Sequence, residues 1–181
     1  MATRGQDDYL RVGLALLAKG GADSVTIANL CTRLHVTKGS FYHHFAGRGD
    51  FIRRLLRYWE REHGARLGAR LLLVSDLRQR VALLQKAALL EQATDGAIRQ
   101  LARSDKHAAA VQRRVERWRE AMLARTFREM GMPALRASRL AGIGLAIAAG
   151  TQQPERPIGK RRFAGLVAEY RRWVDASARR R

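Results

Sequence analysis

The chain has 181 residues, of which 46% are apolar, so it is long enough to bury a core and too apolar for a disordered protein. It has only three prolines and is rich in Ala, Leu and Arg, which predicts an all-α protein. The single cysteine excludes an internal disulfide, and the longest apolar run, 140–149, is about half of the ~20 residues that a membrane span needs. Because the first residues also lack an apolar signal core, we expect a cytoplasmic protein without a membrane segment.

The positive charge is unevenly distributed along the chain. The formal net charge is +19, but residues 1–63 carry 10 Lys or Arg against 6 Asp or Glu (net +4), whereas residues 64–181 carry 25 against 10 (net +15). Of the basic residues, 30 are arginine and 5 are lysine, a composition that the codon bias of a GC-rich genome explains. The alternatives are an anionic effector, or additional phosphate contacts that would make nucleic-acid binding more sensitive to salt.

Helical periodicity and capping residues predict the helices in chain order. A first helix is capped by Asp7 or Asp8 and ends at Gly20-Gly21, since glycine commonly follows a helix. Two short helices follow, at about Thr26–Leu34 and Thr37–His43. Further helices are predicted from Asp50 to about Gly64, from Asp76, at Gly96–Ala102, from Ser104-Asp105 to about Gly131, at Ala134–Ala149 and around Phe163–Val174, with loops at 46–49 and 151–159.

The two short helices have the pattern of a helix-turn-helix. The first has an apolar face that is formed by Ile27, Leu30, Cys31 and Leu34. In the second, Phe41 and Phe45 are spaced to pack beneath the helix, which leaves its polar and basic residues facing outward. A recognition helix enters the major groove with its N-terminal residues against the base edges, so Thr37 and Lys38 are predicted to contact bases.

The other candidate DNA contacts surround these two residues. Gly39 removes a side chain where the backbones of protein and DNA approach closely. Thr26 is expected to cap the preceding helix, whose N-terminus favours a phosphate, and Arg48 is expected to clamp the DNA backbone. Three further side chains carry hydrogen-bond donors that suit phosphate oxygens: Ser40, Tyr42 and His43. Phosphate contacts set the register of the protein on the DNA but give no sequence specificity.

Residues 26–45 resemble the DNA-binding domain of the tetracycline-repressor (TetR) family of bacterial regulators, whose pattern is roughly T-V-x-x-I-A-x-x-A-G-V-S-x-G-x-L-Y-x-H-F. The identical positions are Thr26, Val36, Gly39, Tyr42, His44 and Phe45, and the conservative replacements are Ile27, Leu30, Thr37 and Phe41. The resemblance implies DNA-contact roles for the candidates named above, with His44 partly structural. One departure is His35, which replaces the family's turn glycine; a positive φ disfavours most side chains, but histidine tolerates it better than most.

The resemblance continues more weakly beyond residue 64. Two helices of one large group of these regulators resemble the region formed by segment 97–102, the Ser104-Asp105 pair and the long helix ending at Gly131. The final two helices of the chain look like the pair through which these regulators dimerise. Trp118 and Met122 lie on the helix that lines the effector cavity in family members. Core filling is the favoured interpretation of both side chains, and contact with a ligand is the alternative. The implied domains are a DNA-binding domain at 1–63 and an effector-binding and dimerisation domain at 64–181.

Other kinds of site are disfavoured. Adjacent residues on a helix point about 100° apart, so His43 and His44 do not face one metal ion, and no neighbouring His or Cys completes a set of ligands. The spacing of Cys31 from Ile27 and Leu34 indicates a core position rather than a redox sensor. Because no strand precedes a glycine-rich phosphate loop and no carboxylates pair convincingly, we expect no enzyme activity and no cofactor.

These observations predict a homodimeric transcriptional regulator, a ligand-responsive repressor by its family resemblance. It would bind a near-palindromic double-stranded operator, respond to a small-molecule effector and dimerise through its last two helices. An alternative is a helical interaction protein whose basic C-terminal half binds a polyanion or a protein partner, with a vestigial helix-turn-helix.

Overall fold

A computed structural model describes residues 5–152 and 158–179 of the chain. Its helices are α1 (Gln6–Gly20), α2 (Ile27–Leu34), α3 (Lys38–His44), α4 (Arg48–Glu60), α5 (Leu67–Leu72), α6 (Leu77–Leu101), α7 (Lys106–Glu129), α8 (Ala134–Thr151) and α9 (Lys160–Arg179). A 3-10 turn, Ala22–Ser24, precedes α2, and a π-helical segment, Arg61–Arg66, joins α4 to α5. The described residues contain no strand, so the all-α prediction is confirmed. Among these helices, none is both long and apolar enough to cross a membrane.

The described residues form two compact units. The first contains the chain up to Glu62 together with Ala93–Gln112, and the second contains His63–Gln92 and the chain from Arg113 onward. The long helices α6 and α7 each contribute to both units, because the divisions fall within them.

The first unit is a helix-turn-helix packed on an aromatic core. In it, α1 packs against α2 and α4, and α2 packs against α3. The Phe45 ring lies 5.1 Å from that of Phe41 and 5.0 Å from that of Phe51, and all three side chains are buried. Gly13 allows α1 to cross α4 closely, because a Cβ at this position would lie 2.7 Å from Phe51 Cζ. Burial of each such aromatic side chain contributes roughly 1.5–3 kcal/mol.

Two predicted N-caps in this unit are wrong. The cap of α1 is Gly5, and Asp8 instead accepts a 3.0 Å hydrogen bond from the Gly5 amide as the third residue of the helix. The cap of α4 is Gly47, since the helix begins at Arg48 rather than after Asp50. Both aspartates lie in the first turn of their helices. There a carboxylate still accepts a hydrogen bond from a free backbone amide, and its negative charge is stabilised by the positive end of the helix dipole.

The second unit is built around a core that α5 to α9 share. Its buried side chains include Leu71, Val81, Leu84, Leu123, Phe127, Leu140 and Val174. Helix α8 packs against α9, where the Tyr170 hydroxyl donates a 2.5 Å hydrogen bond to the Leu140 carbonyl. Gly144 makes this approach possible, because a Cβ there would lie 2.9 Å from the Tyr170 hydroxyl oxygen.

In the C-terminal half, the predicted starts of α6 and α7 agree with the structure, whereas α5 was not predicted separately and the prediction at Gly96 differs. Asp76 caps α6 by accepting from the Arg78 amide at 2.8 Å, and Asp105 caps α7 by accepting from the Ala108 amide at 2.8 Å, as predicted. The separate short helix predicted from Gly96 is wrong, because α6 continues through it to Leu101. The cost of a mid-helix glycine, about 1 kcal/mol, is outweighed by burial of neighbours such as Ile98. The predicted loop at 151–159 falls largely on residues 153–157, outside the described residues.

Candidate DNA-binding site

Threonine side chains cap both helices of the helix-turn-helix. Thr26 Oγ1 accepts a 3.1 Å hydrogen bond from the Asn29 amide at the start of α2, as predicted. Thr37 Oγ1 accepts a 3.3 Å bond from the Ser40 amide at the start of α3, a capping role that the sequence analysis did not assign. Each hydroxyl retains its own proton, so capping leaves both threonines able to donate to DNA.

The turn between α2 and α3 contains a left-handed residue. His35 has φ 56° and ψ 48°, a left-handed conformation, and it occupies the position at which the family pattern has glycine. The His35 amide donates to the Thr32 carbonyl at 3.3 Å, and the Val36 amide donates to the Cys31 carbonyl at 3.0 Å. This pair of bonds is a Schellman motif, which ends α2 and sets the direction in which the chain enters α3.

Replacement of His35 by glycine is expected to stabilise the protein. Relief of the left-handed conformation outweighs the larger entropy of glycine in the unfolded chain, so we expect the free energy of unfolding to rise by roughly 0.5–1 kcal/mol. Thermal unfolding measures the effect, with the exposed His43→Gly as the control that should destabilise α3. A melting temperature for His35→Gly below that of the wild type would contradict the expectation.

The exposed residues of α3 form the candidate DNA-reading surface. The side chain of Tyr42 is 56% exposed, and Lys38 and His43 are also exposed. Thr37 and Gly39 lie beside them at the exposed N-terminal end of the helix, whereas Phe41 faces the core, as its spacing predicted. An aromatic ring and an ammonium group thus lie in solvent where α3 can enter a groove.

Ser40 and His44 are half-buried because both contact α1. Ser40 Oγ lies 2.8 Å from the hydroxyl oxygen of Tyr9. The His44 ring stands edge-on to the Tyr9 ring, with centroids 5.5 Å apart. From the sequence, Tyr9 is one of the apolar-face residues of the first helix, and no signal there indicates that its hydroxyl contacts α3.

Arg48 is held by backbone carbonyls that precede α2. Its Nε donates to the Val25 carbonyl at 2.8 Å, and one terminal nitrogen donates to the Ala22 carbonyl at 2.7 Å. Asn29 reinforces the same region, since its side-chain nitrogen donates to the Ser24 carbonyl at 2.8 Å. Arg48 therefore fastens the start of α4 to the N-terminal end of α2, and the residue as a whole remains exposed.

Cys31 lies in the core of the motif. Its Sγ lies 3.6 Å from the Thr37 carbonyl oxygen, to which the thiol donates. Burial raises the pKa of the Cys31 thiol, an effect that the nearby Lys38 ammonium only partly opposes, so the group stays protonated at neutral pH. Within the described residues, no group of His, Cys, Asp and Glu side chains is arranged to hold a metal ion.

The two candidate ligand contacts lie in or against the core of the second unit. Met122 is buried, and Trp118 packs against the same cluster with its ring over Gly68, where a Cβ would lie 2.6 Å from Trp118 Cζ2. A groove of about 550 Å³ runs along α8 and α9 in this unit. Its lining does not include Trp118 or Met122. It consists of the apolar or aromatic Ile143, Ile147, Leu166, Tyr170 and Trp173, together with the ion pair of Arg172 and Glu169.

Comparison with known proteins identifies the N-terminal region. The family model described as bacterial regulatory proteins, tetR family, matches residues 10–55, which run from α1 into α4 and include the whole helix-turn-helix. Residues 10–55 form a tetR-family domain. No curated protein sequence matches the chain significantly.

The tetR-type fold extends over the whole chain. A TetR transcriptional regulator from Legionella pneumophila superposes with a TM-score of 0.77 at 13% identity, over 97% of each chain. A protein from Saccharomonospora viridis, solved with choline, gives 0.67 at 18% identity and covers 94% of this chain and 93% of its own. The regulator FadR from Bacillus subtilis, solved with stearoyl-CoA, gives 0.63 at 12% identity and covers 94% and 97%. The fold and the family domain are those of DNA-binding transcriptional regulators.

Proposed function

We propose that this tetR-family chain is a ligand-responsive regulator, acting as a repressor, that binds a near-palindromic operator as a homodimer. The exposed N-terminal half of α3, presented by a helix-turn-helix that the family model matches, is the observation that carries the proposal. Residues 1–63 would bind DNA in the cytoplasm, and residues 64–181 would dimerise and enclose the effector. Such regulators are not generally enzymes, and no catalytic role is proposed.

The DNA contacts divide by chemistry. Lys38 and Thr37 are assigned to base edges, because lysine suits the O6 and N7 acceptors of guanine and threonine suits a hydrogen-bonding edge or a thymine methyl. Tyr42, His43 and Ser40 are assigned to phosphate oxygens, which accept their protons. Gly39 is proposed to let the backbones of protein and DNA approach closely. Thr26 and Arg48 are proposed to contact phosphates, and His44 is proposed to contact DNA and also to have a structural role.

The groove on α8 and α9 supports dimerisation through these helices. Trp173 is 50% exposed, and Leu166 and Ile143 are also exposed along the groove, which is unusual for large apolar side chains that lie next to each other. In a two-fold dimer the same patch meets itself, so every apolar contact is formed twice. Two recognition helices would then enter successive major grooves, with half-sites ~34–36 Å apart or a multiple of that spacing.

The proposed effector is a small molecule bound by the second unit. The choline and stearoyl-CoA in the two related structures are ligands of those proteins, and they support the idea that this fold also accommodates a small molecule here. Trp118 and Met122 are the proposed contacts with the effector. Because Met122 lies in the core and Trp118 packs against it, the core would have to open for the effector to reach them. Effector binding would favour a dimer state with lower operator affinity, which is the coupling that release from DNA requires.

Footprinting on the DNA upstream of the protein's own gene tests the DNA-binding part of the proposal. We expect protection of an inverted repeat whose two halves lie on one face of the duplex. Protection of a single half, or of no repeat at moderate salt, would contradict the homodimeric operator.

The charge of the second unit favours one other function. Arg113 and Arg117 lie one turn apart on the exposed face of α7, and neither makes an ion pair within the described residues. Unpaired arginines at this spacing attract phosphate groups, so the second candidate is a polyanion-binding protein whose activity depends on residues 64–181. Alanine substitution of Lys38 and Tyr42 separates the two functions.

A further inference from the structure

A single hydroxyl reaches from α1 to the DNA-reading helix. Tyr9 is fully buried (0% exposed), with its ring against Phe41 and Phe45 at centroid distances of 6.0 and 5.6 Å. Its hydroxyl oxygen lies 2.8 Å from Ser40 Oγ, 31 residues away in the sequence. Ser40 is half-buried, so its oxygen lies between the core and the exposed surface of α3.

Burial determines which of the two hydroxyls donates. Within the described part of the chain, Ser40 is the hydrogen-bond partner of the Tyr9 hydroxyl. If Ser40 donated to Tyr9, the phenolic proton would be buried without an acceptor, which is destabilising. If Tyr9 donates instead, both protons are satisfied, because the Ser40 proton then turns toward solvent.

Donation from Tyr9 to Ser40 also suits the binding of Ser40 to DNA. A phosphate group offers only acceptor oxygens, so Ser40 must donate its proton to bind one. That leaves a lone pair of Ser40 Oγ to accept from Tyr9, and hydrogen bonds in such a chain strengthen one another. A Ser40 that donated to Tyr9 could only accept, and would be unable to bind a phosphate.

We propose that Tyr9 is a positioning residue for DNA binding, whose buried hydroxyl donates to Ser40 and directs the Ser40 proton to a phosphate oxygen. The inference rests on the proposed function, because it concerns how the DNA-reading helix binds the operator. It adds to the site a residue that does not touch DNA and lies outside the helix-turn-helix.

Tyr9→Phe removes the hydroxyl and keeps the buried ring, so it tests the proposal with little change of packing. The probe is the duplex fragment that the wild-type protein protects in the footprint, and the measurement is its dissociation constant at fixed salt. Loss of a phosphate contact in Ser40→Ala is expected to weaken binding on the order of 10-fold, and Tyr9→Phe on the order of 3-fold. The double variant should bind no more weakly than Ser40→Ala, because Tyr9 acts only through Ser40.

Tyr58→Phe is the matched control, since Tyr58 is another buried tyrosine of the same unit and lies on α4. It should leave operator affinity unchanged, and thermal unfolding should show all four variants folded. Additive losses in the double variant, or a Tyr9→Phe affinity equal to that of the wild type, would overturn the inference and leave the proposed function standing. A wild-type protein that binds no operator would overturn the proposed function, and this inference with it.

Discussion

Replacing both Lys38 and Tyr42 by alanine is expected to abolish specific operator binding without unfolding the protein. Both side chains are exposed on α3, and Tyr42 is 56% exposed, so their truncation removes little core. A base contact is worth about 1–3 kcal/mol of discrimination, and a charge-assisted phosphate contact about 1.5–3 kcal/mol. Their joint loss should therefore weaken specific binding by roughly 10²–10⁴-fold, measured by fluorescence anisotropy on the protected fragment.

Lys86→Ala is the control for this pair, because Lys86 is an exposed lysine on α6, outside the proposed DNA contacts. It should leave specific affinity unchanged. The salt dependence of the residual binding separates the two candidate functions. If the double variant binds duplex DNA or heparin as tightly as the wild type, with the same salt dependence, the polyanion-binding function replaces the operator-binding one.

Replacing Trp173 by glutamate is expected to convert the proposed dimer to monomers. The side chain lies in the apolar groove along α8 and α9, and in a two-fold interface the substitution introduces two carboxylates into one apolar contact. Loss of two buried tryptophan contacts, at roughly 1.5–3 kcal/mol each, should raise the dissociation constant of the dimer by about 10²–10⁴-fold. Analytical ultracentrifugation over a range of concentrations measures the change.

The matched control for this interface is Leu90→Glu, which places a carboxylate at another exposed apolar residue of the same unit. Leu90 is 69% exposed on α6 and does not line the groove. It should leave the dimer intact. We expect the Trp173→Glu monomer to keep its helix-turn-helix and to lose most of its operator affinity, because each monomer contacts only one half-site. A Trp173→Glu protein that remains dimeric would exclude this face as the interface.

Much of the first unit was predictable because its local signals agree with one another. The apolar spacing of α2, the threonine caps and the turn before α3 all indicate the same motif, and the left-handed geometry of His35 follows from its place in the pattern. The caps of α6 and α7 were predictable for the same reason, since an aspartate before a helix bonds amides only two or three residues away.

Contacts distant in sequence decided several features that the local patterns did not show. Gly96 resembles a helix boundary locally, but its neighbours are buried and the helix continues. Arg48 was assigned to the DNA backbone because it follows the recognition helix, and the structure also ties it to carbonyls more than 20 residues earlier. A local pattern contains no information about which distant carbonyl a guanidinium reaches.

By itself the sequence determined the fold class, the helix-turn-helix and the residues that α3 exposes, because these depend on periodicities and caps within one or two helical turns. Only the tertiary structure decided that Tyr9 bonds Ser40, that Trp118 and Met122 lie in or against the core, and that α8 and α9 leave an apolar groove. Each of these depends on which helices pack together, and packing brings side chains from distant parts of the chain within a few ångströms.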